Sequence, residues 1–425
     1  MDESLLVPPA ELLASSDSDG GETLERTQRH SLCALRFDLQ WRSAEARHSD
    51  TQVSQKLNLW RDIFPPEIEV GILDKPVGHV ASQDYRVGEL IGSYQERDRF
   101  EAKPQNFNRS FRKGQYVEPR AGRFYPKGFI VGTRGIYPEE MTPFRVTRSD
   151  DTLGVDLNHP LAQRDLRLSA QVLSIRQAGE EHGGMCHDIA ELCTLNGPGM
   201  QARWREQATD FYSDLPFARM SGEVDTYFYQ MPRLVDHIDA EATRQISGLY
   251  GRLIPSGSRV LDLMSSWESH LPEDLAPSHV TGLGMNREEL DANPVLTERL
   301  VHDLNLRPQL PFDDASFDAI VCTVSVEYLI KPLDVFAEAA RVLKPGGRFI
   351  LTFSNRWFQP KVIHLWQDLH EFERMGLVLD YFIQTEAYTN LETWSLRGLL
   401  RPQEDKYTGK LPFSDPVYAV WGEKA

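Results

Sequence analysis

The sequence predicts two kinds of fold in one chain: a β-rich N-terminal half and, from about residue 240, an α/β unit with a mostly parallel sheet. Three observations carry that reading. Apolar residues alternate with polar ones at Leu35, Phe37, Leu39 and Trp41, and again at Leu166, Leu168, Ala170 and Val172, the period of half-buried strands. From 240 onward short apolar runs alternate with helical patterns, the rhythm of strands covered by helices. Between the halves, residues 179–239 open with the glycines Gly179, Gly183 and Gly184 and continue through Gly197 and Gly199, as a linker does.

Taken in order, residues 1–25 hold seven carboxylates and no Lys or Arg. They have neither the basic, apolar pattern of a secretory signal nor the arginines of a transit peptide, and 1–28 reads as a disordered acidic leader. Residues 29–178 form the β-rich unit, with one short helical signal at Pro66–Leu73. Residues 179–239 are the linker and helical lead-in. In 240–425, Ile246, Leu249, Tyr250 and Leu253 mark a helix, and Val335, Phe336, Ala339, Val342 and Leu343 another. Strands are expected at 258–263, 280–283, 300–302, 317–324, 348–353 and 417–421. No internal repeat is visible.

Composition excludes several classes. The 425 residues carry 63 acidic against 46 basic side chains, a formal charge of -17. So acidic a chain is a poor non-specific nucleic-acid binder, which needs Lys and Arg against phosphates. No apolar run approaches the roughly 18 residues of a membrane span. Four cysteines make no disulfide scaffold, so a reducing, cytoplasmic setting is expected.

In the C-terminal half, Arg259-Val260-Leu261-Asp262-Leu263 reads as a buried strand ending beside a carboxylate, at the sheet end where α/β proteins bind ligands. Leu310-Pro311-Phe312, Ser316-Phe317-Asp318 and Leu343-Lys344-Pro345-Gly346-Gly347 follow in order. This series resembles class I, type 11, S-adenosylmethionine-dependent methyltransferases over roughly 240–422. The resemblance implies a Rossmann-like fold with a mostly parallel seven-stranded sheet, S-adenosyl-L-methionine as cofactor, and a methyl acceptor that the sequence does not name. By the same resemblance the cofactor would meet Asp262, Met264, Ser266, Asn286, Asp303, Asn305 and Ser325.

The chain departs from the family at the cofactor loop. Met264, Ser266 and Glu268 stand where the family has glycines, whose lack of a Cβ permits positive φ and close backbone approach. At the end of the second strand, Gly282-Leu283-Gly284-Met285-Asn286 lacks the usual ribose-binding acid, and Asn286 or Glu288 could replace it only if the loop shifted. Two readings stay open: a pocket that binds the cofactor by altered contacts, or a fold that has lost it. For Asp262 the alternative role is a helix cap. No general base stands out, and methyl transfer from a sulfonium mainly needs an aligned acceptor.

In the β-rich half, Asp156-Leu157-Asn158-His159-Pro160-Leu161-Ala162 before the strand 166–175 resembles FKBP-type peptidyl-prolyl isomerases of the SlyD-like branch, over about 30–178. It implies a barrel with a short inserted flap, prolyl-containing protein clients, and an apolar pocket lined by Trp60, Ile63, Phe64, Ile68, Tyr116 and Leu168. Such a pocket would favour the twisted amide over a barrier of about 18–20 kcal/mol. Each of these residues also suits an ordinary core. His159 and Pro160 read as turn residues.

His182, Cys186, His187 and Cys193 lie close together, yet their spacing matches no standard metal finger, and no metal site is assigned. Phe211, Tyr212, Tyr227, Phe228 and Tyr229 in the lead-in could cover the cofactor cleft or pack between domains. Two functions remain: a methyltransferase with a fused prolyl isomerase, or a folding factor whose methyltransferase fold is an interaction platform without cofactor.

Overall fold

A computed structural model of the chain describes residues 22–111, 116–133, 135–178, 184–195 and 197–425. The strands are β1 (Ser31–Arg42), β2 (Arg47–Asn58), β3 (Val80–Tyr85), β4 (Arg99–Ala102), β5 (Phe124–Pro126), β6 (Pro143–Ser149), β7 (Leu153–Asp156) and β8 (Leu166–Gln177) in the first half. The second half holds β9 (Arg259–Leu263), β10 (His279–Gly284), β11 (Glu298–Val301), β12 (Phe317–Thr323), β13 (Leu343–Phe353), β14 (Tyr388–Arg397) and β15 (Val417–Lys424).

Eleven of these make one sheet in the order β11-β10-β9-β12-β13-β15-β14-β2-β1-β8-β3. The first seven are the expected mostly parallel α/β sheet: β11 to β13 run parallel, and β15 enters antiparallel between β13 and β14. The helix Ala240–Leu253 buries Ile246, Leu249, Tyr250 and Leu253 against one face, as their spacing predicts. Helices Pro332–Val342 and Glu371–Thr385 cover the other.

The N-terminal barrel expected from the sequence is not what forms. Among the described residues no closed barrel is present. Instead β2 pairs in parallel with β14, and β1, β8 and β3 carry the sheet onward. An exposed strand edge is a row of unpaired backbone groups; here the edge of each half satisfies the other. Asp50 is buried at this seam, accepting from Ser395 Oγ at 2.5 Å and from Arg397 Nη2 at 2.7 Å. His48 Nδ1 lies 2.8 Å from Thr393 Oγ1. The core crosses the seam as well, with Ala34, Val53 and Leu173 packed in the same cluster as Leu249 and Trp394.

The expected flap is no short excursion. Between β3 and β8 the chain builds a separate four-stranded sheet, β4-β7-β6-β5, around Phe107, Phe129, Phe144 and Val155. The helix Pro66–Ile72 forms where the sequence places it and packs Ile68 and Ile72 under the N-terminal strands. Residues 22–28, read as leader, are in part tied down: Thr27 is buried and its Oγ1 donates to Ile72 O at 2.5 Å. The rest of the leader, residues 1–21, lies outside the described residues.

Candidate functional site

The residues assigned to a prolyl pocket separate. Phe64, Ile68 and Leu168 are core side chains of the N-terminal sheet, buried between it and its helix. Trp60, Ile63 and Tyr116 are exposed, Tyr116 at 70%. Apolar residues at strand and helix spacing are taken up by packing, which needs the same pattern as a pocket wall. His159 is a turn residue: its Nδ1 accepts from Leu161 N at 3.1 Å and its other nitrogen lies 3.1 Å from Thr194 O. Of the cysteine and histidine cluster, His182 lies outside the described residues, Cys193 is buried in the core and Cys186 donates to Arg61 O.

A cavity of about 570 Å³ opens at the carboxyl ends of β9 to β12, the place where open α/β sheets bind ligands and a volume typical of small-molecule sites. All seven positions named from the sequence for the cofactor line it: Asp262, Met264, Ser266, Asn286, Asp303, Asn305 and Ser325. Their side chains, however, divide into groups that are occupied and groups that are free.

Asp262, at the end of β9, is 3% exposed and accepts from Ser265 Oγ at 2.5 Å and Ser269 Oγ at 2.6 Å, both through Oδ2. Burial pushes its carboxyl up to about 6, with the two hydroxyl donors pulling the other way. Asn293 Nδ2 donates to Ser266 O and to Ser269 Oγ. Where the resemblance implies a glycine turn, the chain has a loop pinned through side chains. Met264 stands in the left-handed region at φ 60°, the conformation for which glycine is the usual choice.

This loop also bears on the acid that the resemblance implies after the second strand. At Gly284 a Cβ would sit 2.1 Å from Ser265 O, so the loop crossing here leaves no room for a side chain at that position of the stretch 282–286. Asn286 is not a free acceptor either. Its Oδ1 caps the helix Arg287–Ala292 by accepting from Glu288 N and Glu289 N, and its Nδ2 donates to Tyr229 O and Gln230 O. Asn305 is likewise spent, donating to Asp225 Oδ2 and Tyr328 O and accepting from Ile330 N. Ser266 Oγ donates to Glu289 Oε2 at 2.7 Å, and Ser325 Oγ to Thr323 O at 2.9 Å. Asp303 takes Asn305 N and Leu306 N on Oδ1, and its Oδ2 has no bond among the described residues. Val324, between Thr323 and Ser325, is held at φ 42°, a strained conformation for a β-branched residue of the kind that gathers at functional sites.

Of the roof, sequence reasoning named only the lead-in aromatics, Tyr229 among them, as one of two readings. The lead-in residues Tyr229, Arg233, Val235 and His237 line the cavity, as do Trp357, Phe358 and Tyr407 from loops after β13 and β14. Of the lead-in aromatics, Tyr229 reaches the cavity, Phe228 packs against Phe358, and Phe211 belongs to the core. The roof is strapped down: Arg233 N donates to Glu289 Oε1 and Trp267 Nε1 to Val235 O. A helical period could not have found it, because most of this segment is irregular. Six carboxylates and two guanidiniums line the cavity, so it is negative overall when its histidines are neutral.

Residues 269–351 match the family model described as a methyltransferase domain. A malonyl-[acyl-carrier protein] O-methyltransferase of Marinomonas sp. (strain MWYL1) is 27% identical over 98 residues, 20% of this chain and 36% of that protein. A demethylmenaquinone methyltransferase of Listeria monocytogenes serotype 4a (strain HCC23) is 32% identical over 104 residues, 22% of this chain and 44% of that protein. The chain therefore spans less than half the length of either relative. A solved SAM-dependent methyltransferase from Aquifex aeolicus aligns with a TM-score of 0.30 at 15% identity, over 47% of this chain and 97% of its own. Methyltransferase-like character is supported for the C-terminal half, and the family match points to S-adenosylmethionine as its cofactor.

Proposed function

We propose that the C-terminal half is a working S-adenosylmethionine-dependent methyltransferase that holds its cofactor by contacts other than a glycine-rich turn. The observation that carries this reading is the cavity at the carboxyl ends of β9 to β12, onto which the seven family-derived positions converge. Its residues fit the group. Asp303 offers the free Oδ2 as an acceptor, Met264 keeps the backbone turn that glycine would make, and the excess of carboxylates suits a ligand carrying a sulfonium. Asp303, Asp262 and the backbone at Met264 would hold it. When bound it supplies an electrophilic methyl group; the protein's part is to position an acceptor and exclude water.

A fused prolyl isomerase finds no support in the comparisons and is not part of the proposal. Calorimetric titration with S-adenosylhomocysteine, beside Met264→Arg, tests the reading. Micromolar binding that the arginine abolishes is the expected result. No binding at millimolar ligand would overturn it and leave the cofactor-free platform.

A further inference from the structure

The cavity has two chemically different halves. The ends of β9 to β12 supply carboxylates, amides and hydroxyls. The roof and the loops after β13 and β14 supply most of the rings and both guanidiniums, Tyr229, Trp357, Phe358 and Tyr407 with Arg233 and Arg356, beside the lead-in carboxylates Asp225 and Asp236. Arg233 lies 4.6 Å over Phe228 and 5.2 Å over Phe358, and Arg356 4.7 Å over Tyr407. Arg356 is paired with Asp415 at 2.7 Å, whereas Arg233 has no carboxylate within ion-pair distance among the described residues and uses Nη2 on Phe228 O. His237 lines the cavity edge to face with Phe358 at 5.3 Å, and neither ring nitrogen has a hydrogen bond among the described residues.

We propose that this outer half is the acceptor subsite, that it takes a small planar molecule bearing an ionisable hydroxyl, a phenol or enol, and that His237 receives the hydroxyl proton. The inference rests on the methyltransferase reading and deepens it. Planar rings stack on aromatic walls and beneath guanidiniums. The Arg233 guanidinium, which has no carboxylate partner among the described residues, favours the oxyanion that forms as the proton leaves, whereas Arg356 is neutralised by Asp415. A neutral imidazole is what a general base requires; burial holds His237 below its usual range, with Arg233 and His270 acting the same way and Glu289 and Asp236 opposing. In the transfer, the hydroxyl proton goes to the free imidazole nitrogen. The oxygen's electron pair forms the bond to the methyl carbon as the carbon–sulfur bond breaks, and that bond's pair goes to sulfur, leaving a thioether. Sequence reasoning saw no base because His237 stands in a segment with no periodicity or motif around it.

The test uses the full chain saturated with S-adenosylhomocysteine, with 4-nitrophenol as probe, whose ionised form has its own absorption band. Because the phenolate would pair with the imidazolium it creates and lie near Arg233, the bound probe's pKa is expected to fall. At a pH just below its free value, binding to the wild type should therefore raise the phenolate band and quench tryptophan fluorescence. In His237→Gln, checked for an unchanged far-ultraviolet circular dichroism spectrum, the probe should still quench but remain un-ionised. If the homocysteine ligand binds and the probe does not, or the probe binds the wild type without ionising, the acceptor proposal is overturned while the methyltransferase reading stands. Equal ionisation in His237→Gln removes His237 from the role. If the homocysteine ligand fails to bind, the reading falls and this inference with it.

Discussion

Asp50 on β2 and Arg397 at the end of β14, 347 positions apart in sequence, form a buried ion pair with Nη2 2.7 Å from Oδ2. The pair sits in the seam that turns two β systems into one sheet. Removing one partner strands the other charge, which costs about 3–5 kcal/mol in buried pairs. Asp50→Ala should therefore lower the urea midpoint of fluorescence and circular dichroism signals from both halves together. A loss confined to one half, or below about 1 kcal/mol, would show that the seam does not couple them.

Glu327 follows β12, is 1% exposed, and neither carboxylate oxygen has a partner among the described residues. Burial pushes its carboxyl up to about 8. Because the folded state binds the proton more tightly than the unfolded chain, stability is greatest at low pH on this account and declines as pH rises from about 4.5 to 8. Each tenfold gain in proton affinity on folding corresponds to roughly 1.4 kcal/mol, so the penalty at high pH is of the order of a few kcal/mol. Glu327→Gln should be more stable than wild type at pH 9 and should flatten the decline. An unchanged pH profile would mean that a water or an internal partner satisfies the carboxylate.

The two sets of expectations failed and succeeded for physical reasons. Strand ends in an α/β unit follow from the order of short motifs, so Asp262, Asp303 and Ser325 could be placed at one cavity without knowing the fold in detail. Which side-chain atoms remain free could not be read, because Asn286 and Asn305 are consumed by carbonyls from the lead-in and by Asp225. Alternation at Leu35, Phe37 and Leu39 identifies a strand and says nothing of its neighbour; β2 finds β14 across most of the chain. Likewise Ile68 and Leu168 have the period of a buried face whether that face meets a ligand or a core.

Asp303 separates a structural role from a binding one within a single side chain. Its Oδ1 caps the turn through Asn305 N and Leu306 N, and Oδ2 is free among the described residues. Asp303→Asn can keep the Oδ1 acceptor while removing the charge. A charged hydrogen bond is worth about 1.5–3 kcal/mol, so S-adenosylhomocysteine should bind at least about tenfold more weakly with little change in thermal stability. Unchanged affinity would place the ligand away from the β11 end of the cavity.

Asn286 offers the same separation for the roof. Its oxygen caps the helix Arg287–Ala292, and its amide nitrogen holds the carbonyls of Tyr229 and Gln230. Asn286→Asp keeps an N-cap acceptor, replaces two donors with a charge facing two carbonyl oxygens, and so should free the roof without uncapping the helix. Asn286→Ala should do both, at about 1 kcal/mol more in stability. Chymotrypsin reads the difference, since Tyr227 is 66% exposed beside the strapped segment. Cleavage at 227–229 is expected to be slow in the wild type, slower with S-adenosylhomocysteine bound, and fast in Asn286→Asp. If the aspartate variant is cleaved at the wild-type rate, the strap does not hold the roof, and Arg233 N on Glu289 with Trp267 Nε1 on Val235 O must suffice to close the cavity.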